Sequence, residues 1–193
     1  MANKNLSLNA IGKLVESEKF LENTEYVAQF LLGKLLIVDS NGCLLGGRIS
    51  ETEAYLAKDD EASHSFRGKT QRNAAMFANG GTIYVYRSYG VHYCMNIVSE
   101  SKNIGAAVLI RSIIPLFGVE IMKFNRKTEN LKILCNGPGK LTQALGITIY
   151  DNYKIINESN IFLLDDGCKP DFMATKRIGI SKSIDLPLRF VII

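Results

Sequence analysis

The chain has 193 residues, of which 47% are hydrophobic and 22% are charged, and its net charge is +4 at neutral pH. A chain of this length and composition can bury a core of its own, so we expect one domain over residues 1–193. No apolar run reaches the roughly 20 residues that span a bilayer, and the N-terminus lacks the basic-then-apolar pattern of a secretory signal. These features exclude a membrane-spanning class and predict a cytoplasmic protein.

Local patterns predict several strands in succession and only a few helices. In chain order, they predict a helix at 18–32, strands at 34–39 and 43–55, a helical turn near 73–77, strands at 82–86, 92–98 and 106–111, helices at 115–124 and 138–145, and strands at 153–157, 161–164, 177–180 and 189–193. Because the strands do not alternate with helices, we predict an α+β fold, a single mixed domain with a largely antiparallel sheet and flanking helices.

Two segments carry the residues best suited to chemistry, RISETEAY at 48–55 and TIYVYRSYGVHYCMN at 82–96. Side chains alternate along a strand, so Glu51, Glu53 and Tyr55 are predicted to point the same way. A carboxylate beside several aromatic rings suits a site that holds a planar ligand and activates water. Glu53 is the candidate general base, with an exposed strand glutamate as the alternative, and for Glu51 a structural pairing is favoured.

The tyrosines of the second segment differ in their expected roles. Tyr84 and Tyr93 suit packing within the sheet, whereas Tyr86, on a strand that leads into a turn, could stack on a ligand. Tyr89 lies beside Gly90 at an exposed tip, where packing explains it poorly. In a basic neighbourhood such a ring can insert into a base stack.

Three further polar residues are candidates for a site. Arg111 ends the apolar run AAVLIR and should pair with Glu53 or with a phosphate. Asn96 points inward from a mostly apolar strand, where its amide needs a structural partner or recognises a ligand. His64 follows an acidic run, which is typical of a solvated turn but also suits a hydrogen bond to a ligand.

Charge is distributed unevenly along the chain. Residues 1–64 carry six basic and ten acidic side chains, net −4, whereas residues 65–140 carry eleven basic and three acidic ones, net +8. Such asymmetry is expected where one surface meets a polyanion, and scattered solvated lysines are the alternative. The four cysteines lack the spacing of zinc ligands, so buried thiols are predicted, with neither a metal nor another cofactor.

Taken together, these segments resemble the alkyladenine (3-methyladenine) DNA glycosylase family, which excises damaged purines. The resemblance runs from about Leu31 to the C-terminus, and the order and spacing of its blocks make it specific. The matching blocks are LLGK at 31–34, RISETEAY at 48–55, DEASHS at 60–65, RNAAMF at 72–77, GTIYVYRSYGVHYCMN at 81–96, VLIR at 108–111, NGPGKL at 136–141 and PLRF at 187–190.

The resemblance implies a role for each matched residue. Glu53 would activate the attacking water, and Arg111 would help to hold that water and the nearby DNA backbone. Asn96 would reject the exocyclic amino group of guanine, and Tyr89 would fill the gap left in the duplex. The extruded base would be enclosed by Tyr55, His64 and Tyr86.

The resemblance also implies a single catalytic domain with a curved antiparallel sheet. We expect a monomer that binds double-stranded DNA containing damaged purines, nucleoid-associated if the source is bacterial. No lysine stands beside Glu53 for a Schiff base, so the expected product is an abasic site without strand cleavage.

Two alternatives from other classes remain at this point. A metal-dependent nuclease would gather Glu51, Glu53, Asp59 and Asp60 around a cation. A noncatalytic nucleic-acid-binding module would use only the tyrosines and the basic segment. The preferred lesion also stays open.

Overall fold

A computed structural model describes residue 8 and residues 10–88 and 90–193 of the chain. Nine strands and three α-helices lie in these described parts, together with short 3-10 helices. The strands are β1 Lys13–Leu14, β2 Leu35–Ser40, β3 Cys43–Tyr55, β4 Ile83–Ser88, β5 His92–Ser99, β6 Ala106–Phe117, β7 Ile161–Asp165, β8 Phe172–Thr175 and β9 Arg189–Ile192. The helices are α1 Thr24–Leu31, α2 Val119–Arg126 and α3 Pro138–Leu145, and the 3-10 helices are Ser17–Leu21, Ala74–Phe77, Leu131–Ile133 and Ile149–Asp151.

All nine strands belong to one sheet, and every strand pair in it is antiparallel. The strand order is β1-β7-β2-β3-β6-β5-β4, and β9 pairs with both β3 and β8. The long strand β3 is central, because it pairs with β2, β6 and β9. The predicted α+β fold with a largely antiparallel sheet is confirmed.

The main hydrophobic core lies between one face of this sheet and the three helices. Helix residues such as Val27, Met122 and Leu141 share one buried cluster with Ile97 and Ile110 of the sheet. Burial of these side chains provides most of the driving force for folding. The opposite face of β3, β4, β5 and β6 is therefore free to carry polar side chains.

An irregularity in β3 decides which of its residues face the helices. The register against β6 shifts between Ile49 and Glu51, which is the signature of a β-bulge at Ser50. Before the bulge Ile49 packs into the main core, and after it Thr52 donates a hydrogen bond to the carbonyl of Ala28 on α1 at 2.8 Å. The bulge thus turns Glu51, Glu53 and Tyr55 away from the helices.

Several predicted elements are confirmed, with small changes in their bounds. The strand 43–55 and the helix 138–145 have the predicted bounds, and the helical turn near 73–77 is a 3-10 helix. The first predicted helix is divided, because a 3-10 helix ends at Leu21 and α1 begins at Thr24. Among the described residues, none of the helices has the length and hydropathy of a membrane-spanning segment.

Other predictions are wrong. Pro115 does not begin a helix, since β6 continues to Phe117 and α2 begins only at Val119. Residues 153–157 and 177–180 are not strands, and in the first of these only Ile155 makes an isolated bridge. The prediction of buried thiols holds for Cys94 and Cys135, but Cys43 is exposed.

Candidate active site

A cavity of about 520 Å³ lies against the face of the sheet that points away from the helices. Four parts of the chain line it: the strands β3 to β6, the long connection after β3, the start of helix α3 and the irregular segment before β9. Its strand residues are Tyr55, Tyr84, Tyr86, Arg87, Ser88, Cys94, Asn96, Leu109 and Arg111, and its other lining includes Glu61, Ala62, His64, Arg72, Met76, Pro138 and residues 178–182. Its volume is within the range of pockets that bind small organic ligands.

Glu53 lies directly behind the wall of this cavity, with no exposed surface. Its Oε2 atom accepts hydrogen bonds from the Tyr55 hydroxyl at 2.9 Å and from Arg111 Nη1 at 3.2 Å. Its Oε1 atom accepts one from the backbone amide of Ile178 at 2.8 Å. All three donors belong to residues that line the cavity, so the carboxylate is one hydrogen bond away from it. Two neutral donors and the cationic Arg111 thus satisfy the hydrogen-bonding needs of this buried group.

Arg111 links Glu53 to a second carboxylate. Its Nε atom donates to Glu51 Oε1 at 2.9 Å, and Arg189 Nε donates to the same oxygen at 2.5 Å. Burial lowers the pKa of Arg111, but the charges of Glu53 and Glu51 outweigh that effect and the net shift is upward. The predicted pairing of Arg111 with Glu53 and the predicted structural pairing of Glu51 are confirmed.

Three aromatic rings form one side of the cavity. His64 meets Tyr86 edge to face, with ring centroids 4.6 Å apart, and Tyr84 lies 5.5 Å from Tyr86. His64 Nδ1 is hydrogen-bonded to the hydroxyl of Tyr84 at 3.0 Å. Together with Tyr55, which also lines the cavity, these rings offer flat apolar surfaces to a planar ligand.

Electrostatics keep this aromatic group neutral. Desolvation by burial lowers the pKa of His64, and the positive charge of Arg72 lowers it further. Burial raises the pKa of Tyr84 to about 12. Burial also raises the pKa of Tyr55, and the negative charge of Glu53 adds to that shift. The phenol of Tyr55 is therefore protonated at neutral pH and donates its hydrogen to Glu53.

The middle strands contribute residues with fixed orientations. Asn96 is buried, and its Nδ2 atom donates to the backbone carbonyl of Tyr84 at 3.0 Å. Asn96 is opposite Leu109 on β6, and Leu109 is in turn opposite Glu53 on β3. The predicted structural hydrogen bond of Asn96 is therefore present, and the same residue also lines the cavity.

The segment 176–182 is the part of the site that the sequence did not predict. The guanidinium of Arg177 binds both oxygens of Asp60 at 2.7 Å, and neither side chain has any exposed surface. This ion pair ties the loop after β3 to the segment in which Ile178 reaches Glu53. The feature of the sequence that could have indicated this segment is the arginine immediately before the run IGI, in which isoleucine and glycine are mixed.

The structure brings together most of the predicted site residues. Glu53, Tyr55, Tyr86, Asn96 and Arg111 all lie at or behind the cavity wall, and His64 lies at its mouth, where its ring packs on Tyr86 but part of its surface is exposed. Tyr89 is outside the described residues.

The metal-dependent alternative finds no support in these contacts. Glu51, Glu53 and Asp60 are each bound to arginines. Within the described ranges, no group of three or more His, Cys, Asp or Glu side chains could hold a metal ion.

A buried carboxylate behind an aromatic cavity is typical of enzymes that hold a planar ligand beside a reacting bond. Comparison with known sequences places the chain more closely. A family model described as methylpurine-DNA glycosylase matches residues 18–193.

Similar proteins carry the name "Putative 3-methyladenine DNA glycosylase". One from Francisella tularensis subsp. tularensis (strain FSC 198) is 46% identical over 170 residues, which cover 86% of this chain and 88% of that protein. Another from Rhodopseudomonas palustris (strain BisB18) is 42% identical, over 93% of this chain and 88% of that protein. The chain belongs to the methylpurine-DNA glycosylase family, which confirms the resemblance seen in its sequence, and it is a DNA repair hydrolase.

Proposed function

We propose that this protein removes alkylated and deaminated purines from double-stranded DNA, with Glu53 as the general base. The observation that carries the proposal is the position of Glu53, fully buried and bonded to three residues of an aromatic cavity. The names of its relatives point to 3-methyladenine as one substrate base. We further propose that residues 1–193 form one catalytic domain that acts as a monomer in the cytoplasm.

The cavity suits a purine that has left the base stack. A target base in a duplex must be rotated out, at a cost of a few kcal/mol, and this cost is lower for a damaged pair. Tyr55, Tyr86 and His64 supply rings on which the base stacks, an interaction worth about 1–3 kcal/mol per base. The amide of Asn96 is held by the Tyr84 carbonyl, so it presents a fixed obstacle to the exocyclic amino group of guanine.

The chemical step requires a water between Glu53 and the sugar of the rotated nucleotide. Oε2 is the oxygen to which both Tyr55 and Arg111 donate, and both of these residues line the cavity. A water that enters between them meets the carboxylate, which accepts its proton as the hydroxide attacks the anomeric carbon. The N-glycosidic bond breaks as this new bond forms, and its electron pair leaves with the purine. Arg111 remains charged throughout and stabilises the Glu53 carboxylate until it takes up the proton of the water.

The proposed product rests on the cavity lining, in which Lys182 is the single lysine among the described residues. Lys182 lines the cavity, but it lies at the mouth, where its Nζ atom is 3.5 Å from Glu61. Hydrolysis then leaves an abasic site without strand cleavage. A cationic alkylated purine leaves readily, whereas a neutral one such as hypoxanthine has to gain a proton during the reaction.

Basic side chains surround the cavity mouth, as binding to phosphates requires. Arg72, Arg87 and Lys182 line the mouth, and Arg67 lies in an adjoining pocket of about 280 Å³. At the tip that joins β4 and β5, Val91 is 68% exposed. We propose that Tyr89, two positions earlier in the chain, fills the space that the rotated nucleotide leaves, as inserted apolar side chains do in other complexes.

The test is base release by wild-type protein and by the Glu53→Gln variant. Duplexes would carry 3-methyladenine, 7-methylguanine, ethenoadenine or hypoxanthine, and released base would be measured in single turnovers with a chelator present. We expect wild-type protein to release at least one of these bases and Glu53→Gln to be slower by about 10²–10⁴-fold, the usual contribution of a general base.

Near-wild-type release by Glu53→Gln would remove Glu53 from the mechanism. Strand breaks that vanish in chelator would instead indicate a nuclease, and binding without any release would indicate a noncatalytic module.

A further inference from the structure

The ion pair between Arg177 and Asp60 is completely buried, although a buried ion pair need not increase the stability of a protein. Arg177 Nη1 and Nη2 each lie 2.7 Å from an oxygen of Asp60, and Nη1 also donates to the Ala54 carbonyl at 2.9 Å. Burying two charges is costly, and buried ion pairs can often be replaced by apolar residues without loss of stability. Within the described residues, Arg177 Nε is a buried atom without a hydrogen-bond partner. A further role would explain these costs.

Arg177 is joined to Glu53 by two separate routes. Its guanidinium lies over the ring of Tyr55, 4.7 Å from the centroid, and the hydroxyl of that ring donates to Glu53 Oε2. The next residue in the chain, Ile178, donates its backbone amide to Glu53 Oε1. Two of the three hydrogen bonds to Glu53 therefore come from groups that Arg177 holds in place.

Asp60 fixes the position of the guanidinium itself. Its two oxygens also accept the backbone amides of Leu56 at 3.0 Å and Ala62 at 3.2 Å. The carboxylate is thereby attached to the loop that follows β3 as well as to Arg177. Since Ile178 is 51% exposed, little packing other than this ion pair holds its amide against Glu53.

We propose that Arg177, locked by Asp60, is a positioning residue that sets the Tyr55 hydroxyl and the Ile178 amide on the two oxygens of Glu53. Arg177 is not among the residues that line the cavity, so in this proposal it does not contact the base or the sugar directly. The inference rests on the proposed role of Glu53 as general base. A misplacement of about 1 Å in such a group costs up to about 100-fold in rate.

The test removes both charges together, in the double variant Asp60→Asn/Arg177→Met. The asparagine retains an oxygen for the loop amides, and methionine fills the space of the arginine stem. We expect single-turnover base release to slow by about 10- to 100-fold, while the affinity for lesion duplex and the thermal unfolding midpoint stay near wild type.

Two further variants separate positioning from general damage. Arg177→Lys keeps a cation beside Asp60 but loses the planar bidentate contact, so we expect a smaller loss in the same direction. The pair Arg48→Met/Asp166→Asn removes the bidentate contact of Arg48 with Asp166, at 3.0 and 2.7 Å, which does not adjoin the cavity. This control should release base at the wild-type rate.

A thermodynamic cycle with Glu53→Gln gives the decisive readout. If Arg177 acts only through Glu53, adding Asp60→Asn/Arg177→Met to Glu53→Gln should cause no further loss of rate. An unchanged rate in the double variant, or a further tenfold loss on the Glu53→Gln background, would overturn the proposal. If wild-type protein releases no base, or if Glu53→Gln is fully active, the proposed function fails instead.

Discussion

The two faces of the sheet are formed by side chains of the same strands, but the two sets of side chains have different roles. On β4, β5 and β6, the side chains of Ile83, Met95 and Ile110 face the helices and are fully buried in an apolar core. Their neighbours in sequence face the cavity, and these include Asn96 and Arg111. Alternation along these stretches lets one strand supply stability on one side and chemistry on the other. Substitutions at adjacent positions should therefore affect different properties.

The largest effect is expected for the substitution Ile110→Ala on the helix face. Ile110 is completely buried in the main core, and removing such a side chain costs about 2–5 kcal/mol of unfolding free energy. Denaturant titration measures this loss. Base release by the protein that remains folded should proceed at the wild-type rate, although Arg111 is the next residue in the chain.

Ile114 provides the matched control for that experiment. It lies further along β6 and is 49% exposed, so Ile114→Ala should change the unfolding free energy by less than about 1 kcal/mol. A slower chemical step in folded Ile110→Ala protein would show that the two faces are not independent.

Alternation explains why much of the polar face could be predicted from the sequence. The grouping of Glu51, Glu53 and Tyr55 needs only the period of a strand, and the pairing of Arg111 needs only a cation at the end of an apolar run. The phase of β3 could not be predicted in this way. Ile49 and Glu51 are two residues apart, yet the bulge at Ser50 sends them to opposite faces.

The segment around Arg177 shows the second limit of sequence reasoning. Residues 177–180 alternate and contain isoleucine, which favours a strand, but they form an irregular wall of the cavity. What holds them is a contact with Asp60, 117 positions away in the chain. Local patterns carry no information about a partner at that distance, so neither the conformation of the segment nor its contact with Glu53 could be predicted.

A substitution at the cavity mouth should have a smaller effect, on the salt dependence of DNA binding and not on the unfolding free energy. Arg87 is exposed on β4 and lines the mouth, so Arg87→Gln should leave the unfolding free energy unchanged. If its guanidinium meets a phosphate, the slope of log affinity against log salt falls by about 1. Titrating labelled lesion duplex at several salt concentrations gives this slope.

The control for that slope is Lys13→Gln. Lys13 is on β1, at the other edge of the sheet from β4, where no contact with the same duplex is expected. Equal slopes for Arg87→Gln and wild-type protein would count against the proposed path of the DNA.

The smallest expected effect concerns the protonation of His64. Its pKa is lowered by partial burial and then by Arg72, so the unfolded chain takes up a proton at higher pH than the folded protein. The stability linked to this group is complete above the ordinary histidine value of about 6.5 and decreases as the pH falls below it.

The chain has two histidines, so a His92→Gln background leaves a single imidazole for titration by NMR. We expect its midpoint below 6.5 and, in Arg72→Gln, a midpoint closer to that value. If the midpoint is the same with Arg72 and in Arg72→Gln, burial against Tyr84 and Tyr86 alone keeps the ring neutral. The charge of Arg72 at the cavity mouth would then have no effect on the protonation of the aromatic wall.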